Sequence, residues 1–272
     1  MPSLAEKPIA NPDTNPIEPS HELSGKTAMI VGASRGIGRG IALAFAGAGA
    51  RVIAVSRSST EFAEAGANTG EIRQEIADAG DAGLPALLLD RHDPDVVVLV
   101  AGAIPPMLPL QQQNWEAFSA NWQADVRIAF HWLREILLKP LRPGSRVVVF
   151  SSGAALGGSP LSGGYAGAKA MQRFLAAYAQ NEAARGGLDI TFTAVLPRFS
   201  PETGVGKVAV QAYAARAGQS VEAFLQSFVQ SSGPLLSPQI AGAALLQLAT
   251  QDAADFAPAY LLTGAGLQKL PN

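Results

Sequence analysis

The sequence predicts an α/β protein: a Rossmann-type, doubly wound parallel sheet of about seven strands in three α/β/α layers. Three observations predict it. Short apolar runs alternate with helix-like segments along the chain, as in a parallel sheet covered on both faces. A glycine-rich turn follows the first run and opens a helix. No second linker or internal repeat interrupts the alternation, so 23–272 reads as one domain. Residues 1–22 carry Pro2, Pro8, Pro12, Pro16 and Pro19 with little to bury, and read as a disordered tail.

In chain order, Thr27–Val31 is a buried strand ending at a glycine turn, and Gly36–Gly49 a small-residue helix with Ile37, Ile41 and Phe45 on one face. Val52–Val55 is the second strand. A short helix over Ser58–Gly66 precedes a weak third strand at Glu71–Ala77. Ala86–Leu89 has strand character, but the next strand begins by Val96 and a parallel crossover needs about a dozen residues. Ala82–His92 is therefore read as a helix, with Pro85 in its first turn. Val96–Val100, Arg146–Phe150 and Ile190–Leu196 are further strands, separated by helices over Asn114–Lys139 and Ser162–Arg185. A last helix at Pro238–Thr250 precedes a strand at Ala259–Leu262.

Composition excludes several functions. Of 272 residues 48% are hydrophobic, enough for a sizeable core, and only 15% are charged, against the usual quarter or so. So lean a polar surface hints at contacts between subunits. A formal net charge of −2 gives no basic field for nucleic acid or anionic lipid. The absence of cysteine removes disulfides, thiol catalysis and thiolate metal sites. His21, His92 and His131 are too scattered for a histidine metal site. No apolar run reaches the ~18 residues of a membrane span. The first residues lack the basic and apolar parts of a signal peptide, so a cytoplasmic protein is expected.

The turn reads Gly32-Ala-Ser34-Arg35-Gly36-Ile37-Gly38. Its glycines allow a tight bend and let a pyrophosphate approach the helix N-terminus, where free N–H groups and the dipole attract anions. The same letters spell the Gly-x-Ser-x-Gly elbow of hydrolases. That elbow follows several strands and needs a late histidine; here only the tail precedes the strand, and the last histidine is His131. The second strand ends Ser56-Arg57-Ser58, without the carboxylate that would bond an NAD ribose. Arg57, with Arg35 and two hydroxyls, suits the 2′-phosphate of NADP(H).

Tyr165 and Lys169 are four residues apart near a helix start, on one face. A neighbouring ammonium favours phenolate and makes a tyrosine a usable acid or base. Ser152 lies thirteen residues earlier, just past a strand, where a hydroxyl can hold a substrate oxygen.

With these residues in place the chain resembles the short-chain dehydrogenase/reductase family over about 23–265, on Gly32, Gly36, Gly38, Ser152, Tyr165, Lys169 and Ala101-Gly102 after the fourth strand. The resemblance implies a nicotinamide cofactor, here NADP(H), and transfer of hydride between it and a small carbonyl or alcohol substrate. It implies Tyr165 as proton donor, Lys169 lowering its pKa and holding the nicotinamide ribose, and Ser152 orienting the substrate oxygen. It also assigns Asp78 to the adenine, Pro197 and Thr203 to the nicotinamide side, and 199–235 to a variable substrate lid. A homodimer or homotetramer is implied, with no nucleic-acid or membrane partner.

Four positions depart from the family pattern. Asp125 stands where an asparagine anchors the water that relays protons to the lysine, with Asn121 one turn away. Val100 replaces an asparagine, Val31 a common threonine, and Arg198 the glycine after Pro197. An aspartate at 125 would pair with Lys169 and blunt its effect on Tyr165. A nucleotide-binding protein without redox work, a sensor, scaffold or isomerase, is therefore the alternative reading. Phe224 and Phe228 at spacing four mark an apolar lid face or ordinary core. Trp115, Trp122, Trp132 and His131 read as core or interface.

Overall fold

The computed structural model describes residues 22–62 and 69–271. Strand β1 (Thr27–Val31) runs into helix α1 (Gly36–Gly47), followed by β2 (Arg51–Ser56), β3 (Ile72–Ile76), α2 (Leu84–His92) and β4 (Val96–Leu99). Then come α3 (Trp115–Asn121), a π-helical turn (Trp122–Val126), α4 (Arg127–Leu138), β5 (Ser145–Phe150), one turn of helix α5 (Ala154–Gly157) and α6 (Gly163–Arg185). The chain ends with β6 (Ile190–Pro197), α7 (Gly204–Arg216), α8 (Val221–Ser232), α9 (Pro238–Thr250), β7 (Ala259–Thr263) and β8 (Gly266–Leu270). The strand order is β3-β2-β1-β4-β5-β6-β7-β8, parallel throughout except for β8. The chain reverses its winding between β1 and β4, the place where open α/β sheets leave a crevice beyond the strands' carboxyl ends.

Period-two alternation along the strands feeds two cores. Met29, Val31, Ile53, Val55, Val97 and Leu99 pack with Leu88 of α2, Trp132 of α4 and Ala176 of α6. Ala28, Ile30, Val52, Ala54, Val96 and Val98 point the other way, onto Ile41 and Phe45 of α1 and Leu245 of α9. Trp132 and Phe45 are wholly buried, and each large apolar side chain contributes roughly 1.5–3 kcal/mol through burial.

The structure corrects the sequence reading in three places. The sheet has eight strands; the expected seven-strand count lacked antiparallel β8 (Gly266–Leu270), whose Gln268 and Lys269 face solvent and hide the strand pattern. The described part of the helix expected over Ser58–Gly66, residues 58–62, is not helical; the remainder, like the tail apart from Glu22, lies outside the described residues. The helix expected over Asn114–Lys139 is broken by the π-helical turn. The ambiguous segment is helical from Leu84, with Pro85 in its first turn, where a missing N–H costs nothing. Among the described residues no helix is long and apolar enough to cross a membrane, and no group of three or more potential ligands could hold a metal.

Helices α1 and α9 cross at glycines. A Cβ on Gly40 would lie 2.1 Å from the Pro238 carbonyl oxygen, and one on Gly242 would lie 2.5 Å from the Gly40 carbonyl oxygen. The glycine loop therefore sits on a helix pressed against the C-terminal helix. Gly40→Val should lower the urea midpoint by an amount corresponding to roughly 1–3 kcal/mol, as overpacking does. Gly47→Ala, where a Cβ meets nothing within 4 Å, should be neutral or stabilising by up to about 1 kcal/mol.

Candidate active site

A cleft of about 880 Å³ opens at the carboxyl ends of β1, β4, β5 and β6. Its floor at one end is the glycine loop. Gly32 (φ +106°) and Gly36 (φ +55°) hold left-handed conformations that disfavour any other residue. Gly38 packs so close that a Cβ would lie 2.1 Å from the Gly32 carbonyl oxygen. Arg35 enters α1 extended and offers no side-chain cap, so the first-turn N–H groups, on a stretch that lines the cleft through Gly36, Ile37 and Gly38, have no capping side chain.

Ser34, Arg35, Ser56 and Arg57 line the same end of the cleft. Ser58 does not; it lies in an adjoining smaller pocket with Ser34, Arg35, Arg57, Ser59 and Thr60. Ser56 Oγ donates to the Ser58 carbonyl at 2.7 Å and shapes that turn. Asp78, just past β3, accepts from the Gly80 N–H at 2.9 Å and lines the cleft. Ala101 and Gly102 form its wall beyond β4, and Pro197 and Thr203 the opposite side. Thr203 caps α7, accepting from the Gly206 N–H at 3.0 Å, and its methyl would lie 3.3 Å from a Cβ on Gly36. Thr203 thus closes over the glycine loop.

Ser152, Tyr165 and Lys169 all line the cleft. Two contacts fix α6 there. Ser151 Oγ donates to the Lys169 carbonyl at 2.7 Å, and Trp122 Nε1 donates to the Gly164 carbonyl at 3.1 Å. Gly164 permits the approach, since a Cβ would lie 1.9 Å from the Phe118 carbonyl oxygen. Lys169 Nζ sits 5.5 Å from the Tyr165 ring centroid.

The π-helical turn delivers Asp125, fully buried, to the far side of Lys169. Its Oδ2 lies 3.0 Å from Lys169 Nζ, and its Oδ1 accepts from the Ala103 N–H at 2.8 Å. Asn121 Nδ2 donates to the Ala103 carbonyl at 2.9 Å and stands 3.4 Å from both carboxylate oxygens. Gly102 leaves room for the carboxylate, which a Cβ would approach to 2.8 Å. Burial pushes the Lys169 ammonium down, but Asp125 and Tyr165 outweigh it and hold the group above its ordinary value. Lys169 therefore keeps its proton across the neutral range.

One site residue escaped the sequence reading. Gln172, buried one turn beyond Lys169, accepts from Lys169 Nζ at 2.8 Å and donates through Nε2 to the Asp125 main-chain carbonyl at 3.0 Å. Its only signal was a polar residue at position i+3 on the buried face of the lysine's own helix. Tyr213 lines the cleft, and its hydroxyl is bonded to Ser159 Oγ, which is 2.6 Å from Ser162 Oγ. The segment expected to form a lid contains two helices, α7 and α8, and α8 sets rings against Phe199: Phe228 at 5.1 Å and Phe224 at 6.0 Å between centroids. Phe199 and Phe228, with Ile104, Met107 and Leu156, give the cleft an apolar chamber. Arg198 is exposed at its edge.

Known proteins show the same pattern. The short chain dehydrogenase family profile matches residues 26–213. The hydroxynaphthalene reductase-like protein Arp2 of Metarhizium robertsii is 31% identical over 195 residues, 66% of this chain and 70% of that one. A 3-oxoacyl-[acyl-carrier-protein] reductase of Synechocystis is 32% identical over 190 residues, 65% of this chain and 75% of its own length. Among solved structures, a 3-oxoacyl reductase from Agrobacterium tumefaciens with NADP bound superposes with a TM-score of 0.69 at 23% identity, over 89% of this chain and 94% of that one. A short chain dehydrogenase from Mycobacterium avium gives 0.73 at 21%, over 92% and 86%. Profile, relatives and sheet order agree: the chain belongs to the short-chain dehydrogenase family of oxidoreductases.

Proposed function

We propose that this protein is an NADP(H)-dependent carbonyl reductase or alcohol dehydrogenase with Tyr165 as its general acid and base. One observation carries the reading: Ser152, Tyr165 and Lys169 share a cleft with an uncapped, glycine-lined helix N-terminus. The residues present fit a dinucleotide. The backbone of Gly32–Gly38 takes the pyrophosphate, while Arg35 and Arg57, with Ser34, Ser56 and Ser58, take the 2′-phosphate. Asp78 meets the adenine, Ala101 and Gly102 the adjoining ribose, and Pro197 and Thr203 the nicotinamide side. When bound, this group supplies the hydride.

The chain's own residues handle the oxygen. Ser152 donates a hydrogen bond to the substrate carbonyl, and Tyr165 passes its phenolic proton to that oxygen as the carbon is reduced; oxidation runs the same path backward. Lys169 provides positive charge beside the phenol, and Asp125 holds Lys169. The relatives named as reductases of hydroxynaphthalenes and 3-oxoacyl groups support a carbonyl substrate, and the apolar chamber supports a ketone with an apolar body.

Tyr165→Phe should cut NADPH oxidation with a ketone by about 100- to 10,000-fold while leaving NADPH affinity within a few-fold. Undiminished turnover sinks the assignment of Tyr165. Replacing Arg57 and Arg35 by Ala should reduce the preference for NADPH over NADH by about 10- to 100-fold in kcat/KM, the range expected for lost hydrogen bonds to a charged group. An unchanged ratio refutes the 2′-phosphate assignment.

A second copy of the chain fits the outer faces of α4 and α6, where Phe130, Phe174 and Tyr178 are each half exposed or more. Light scattering should give a dimer or tetramer that Phe174→Asp disrupts; a monomeric parent protein rejects this interface.

The non-redox reading has one observation in its favour, the pairing of Lys169 with Asp125. Tight NADPH binding without turnover of any ketone in a broad panel would select it.

A further inference from the structure

We propose that Gln172 is a positioning residue that bridges Lys169 and the Asp125 main-chain carbonyl in place of water, so that Lys169 works as a fixed cation and relays no proton. The inference rests on the reading of Tyr165 as general acid.

An ammonium has three N–H donors. Protein acceptors meet all three: Asp125 Oδ2 at 3.0 Å, Gln172 Oε1 at 2.8 Å and the Phe150 carbonyl at 3.3 Å. A water relaying protons to this lysine would accept from Nζ and donate to a carbonyl across from it. Gln172 makes that same pair of bonds, accepting from Nζ and donating to the Asp125 carbonyl at 3.0 Å. Water exchanges the protons it bridges; a carboxamide holds its own. Asp125, Gln172 and Lys169 are all buried, and the second carboxylate oxygen is taken by the Ala103 N–H. The groups facing Lys169 that carry charge or titrate are Asp125 from the π-helical turn and Tyr165 from α6; β5 presents only the Phe150 carbonyl. Asp125 and Gln172 thus act together. The carboxylate offsets the buried charge, and the carboxamide fills the place that would connect it to solvent. Tyr165, half-buried at the cleft, then recovers its proton from the cleft side.

The decisive measurement uses the whole cofactor-free protein with ¹⁵N-labelled lysine, and Lys169→Met to identify the resonance. Slow exchange of the Lys169 ammonium protons with solvent near neutrality is expected. In Gln172→Ala, where a water has two polar partners and room, exchange should accelerate by at least about tenfold. Equal exchange in the two proteins overturns the proposal, and so does fast exchange in the parent, which decides the matter even if the variant does not fold. This readout needs no turnover, so it stands apart from the proposed reductase activity. With turnover of a ketone, the rate plotted against deuterium fraction should be linear in the parent, one proton in flight, and bowed in Gln172→Ala. A bowed plot in the parent refutes the fixed cation.

Discussion

The site depends on a buried ion pair. Lys169 and Asp125 lie 3.0 Å apart with almost no solvent access, so neither charge is tolerable alone. Removing one partner from such a pair typically costs about 3–5 kcal/mol, because the other is left buried and uncompensated. The surroundings follow from this demand. Ala103 N–H and Asn121 steady the carboxylate, Gly102 gives it space, and Gln172 and Phe150 complete the ammonium's bonds. The π-helical turn belongs to the same solution. Wide turns of this kind collect at functional sites, and here one carries the buried Asp125 that pairs with Lys169 of α6.

Close backbone approach is the second organising constraint. Gly32 against Ala101, Gly38 against Gly32, Gly164 against Phe118 and Gly206 against Ser200 are contacts in which a single methyl group would collide with main chain. Three of these contacts join segments that line the cleft, and the one at Gly164 sets α6 against α3. Helix α6, which carries Tyr165 and Lys169, lies against α3, and the glycine loop is narrow because α1 begins directly after β1. Lean side chains at these points do more for the site than extra apolar bulk would.

Much of this was legible in the sequence, unevenly. Strands buried on both faces announced themselves as apolar runs, and the glycine turn and the Ser152, Tyr165 and Lys169 spacing reported local geometry that does not depend on distant contacts. Asp125 was found because it stands where the family pattern has an asparagine, and its pairing with Lys169 follows from elementary electrostatics. Gln172 was not found, because its role arises from a hydrogen bond to the main chain of a residue 47 positions away. The turn at Trp122–Val126 was missed for a similar reason: helical periodicity runs through it, and its partners lie on α6, far along the chain. Strand β8 was invisible because it lies at the sheet edge, where the consecutive Gln268 and Lys269, on opposite faces, are both exposed and break the apolar alternation.

That last strand has an effect of its own. Strand β7, with Ala259, Tyr260 and Leu262 buried, would otherwise present an apolar row with unpaired main-chain groups. The antiparallel hairpin covers it and leaves outermost a short ribbon bearing an amide and an ammonium, a poor template for another chain to zip onto. The flank of the sheet thereby resists fibre-like growth.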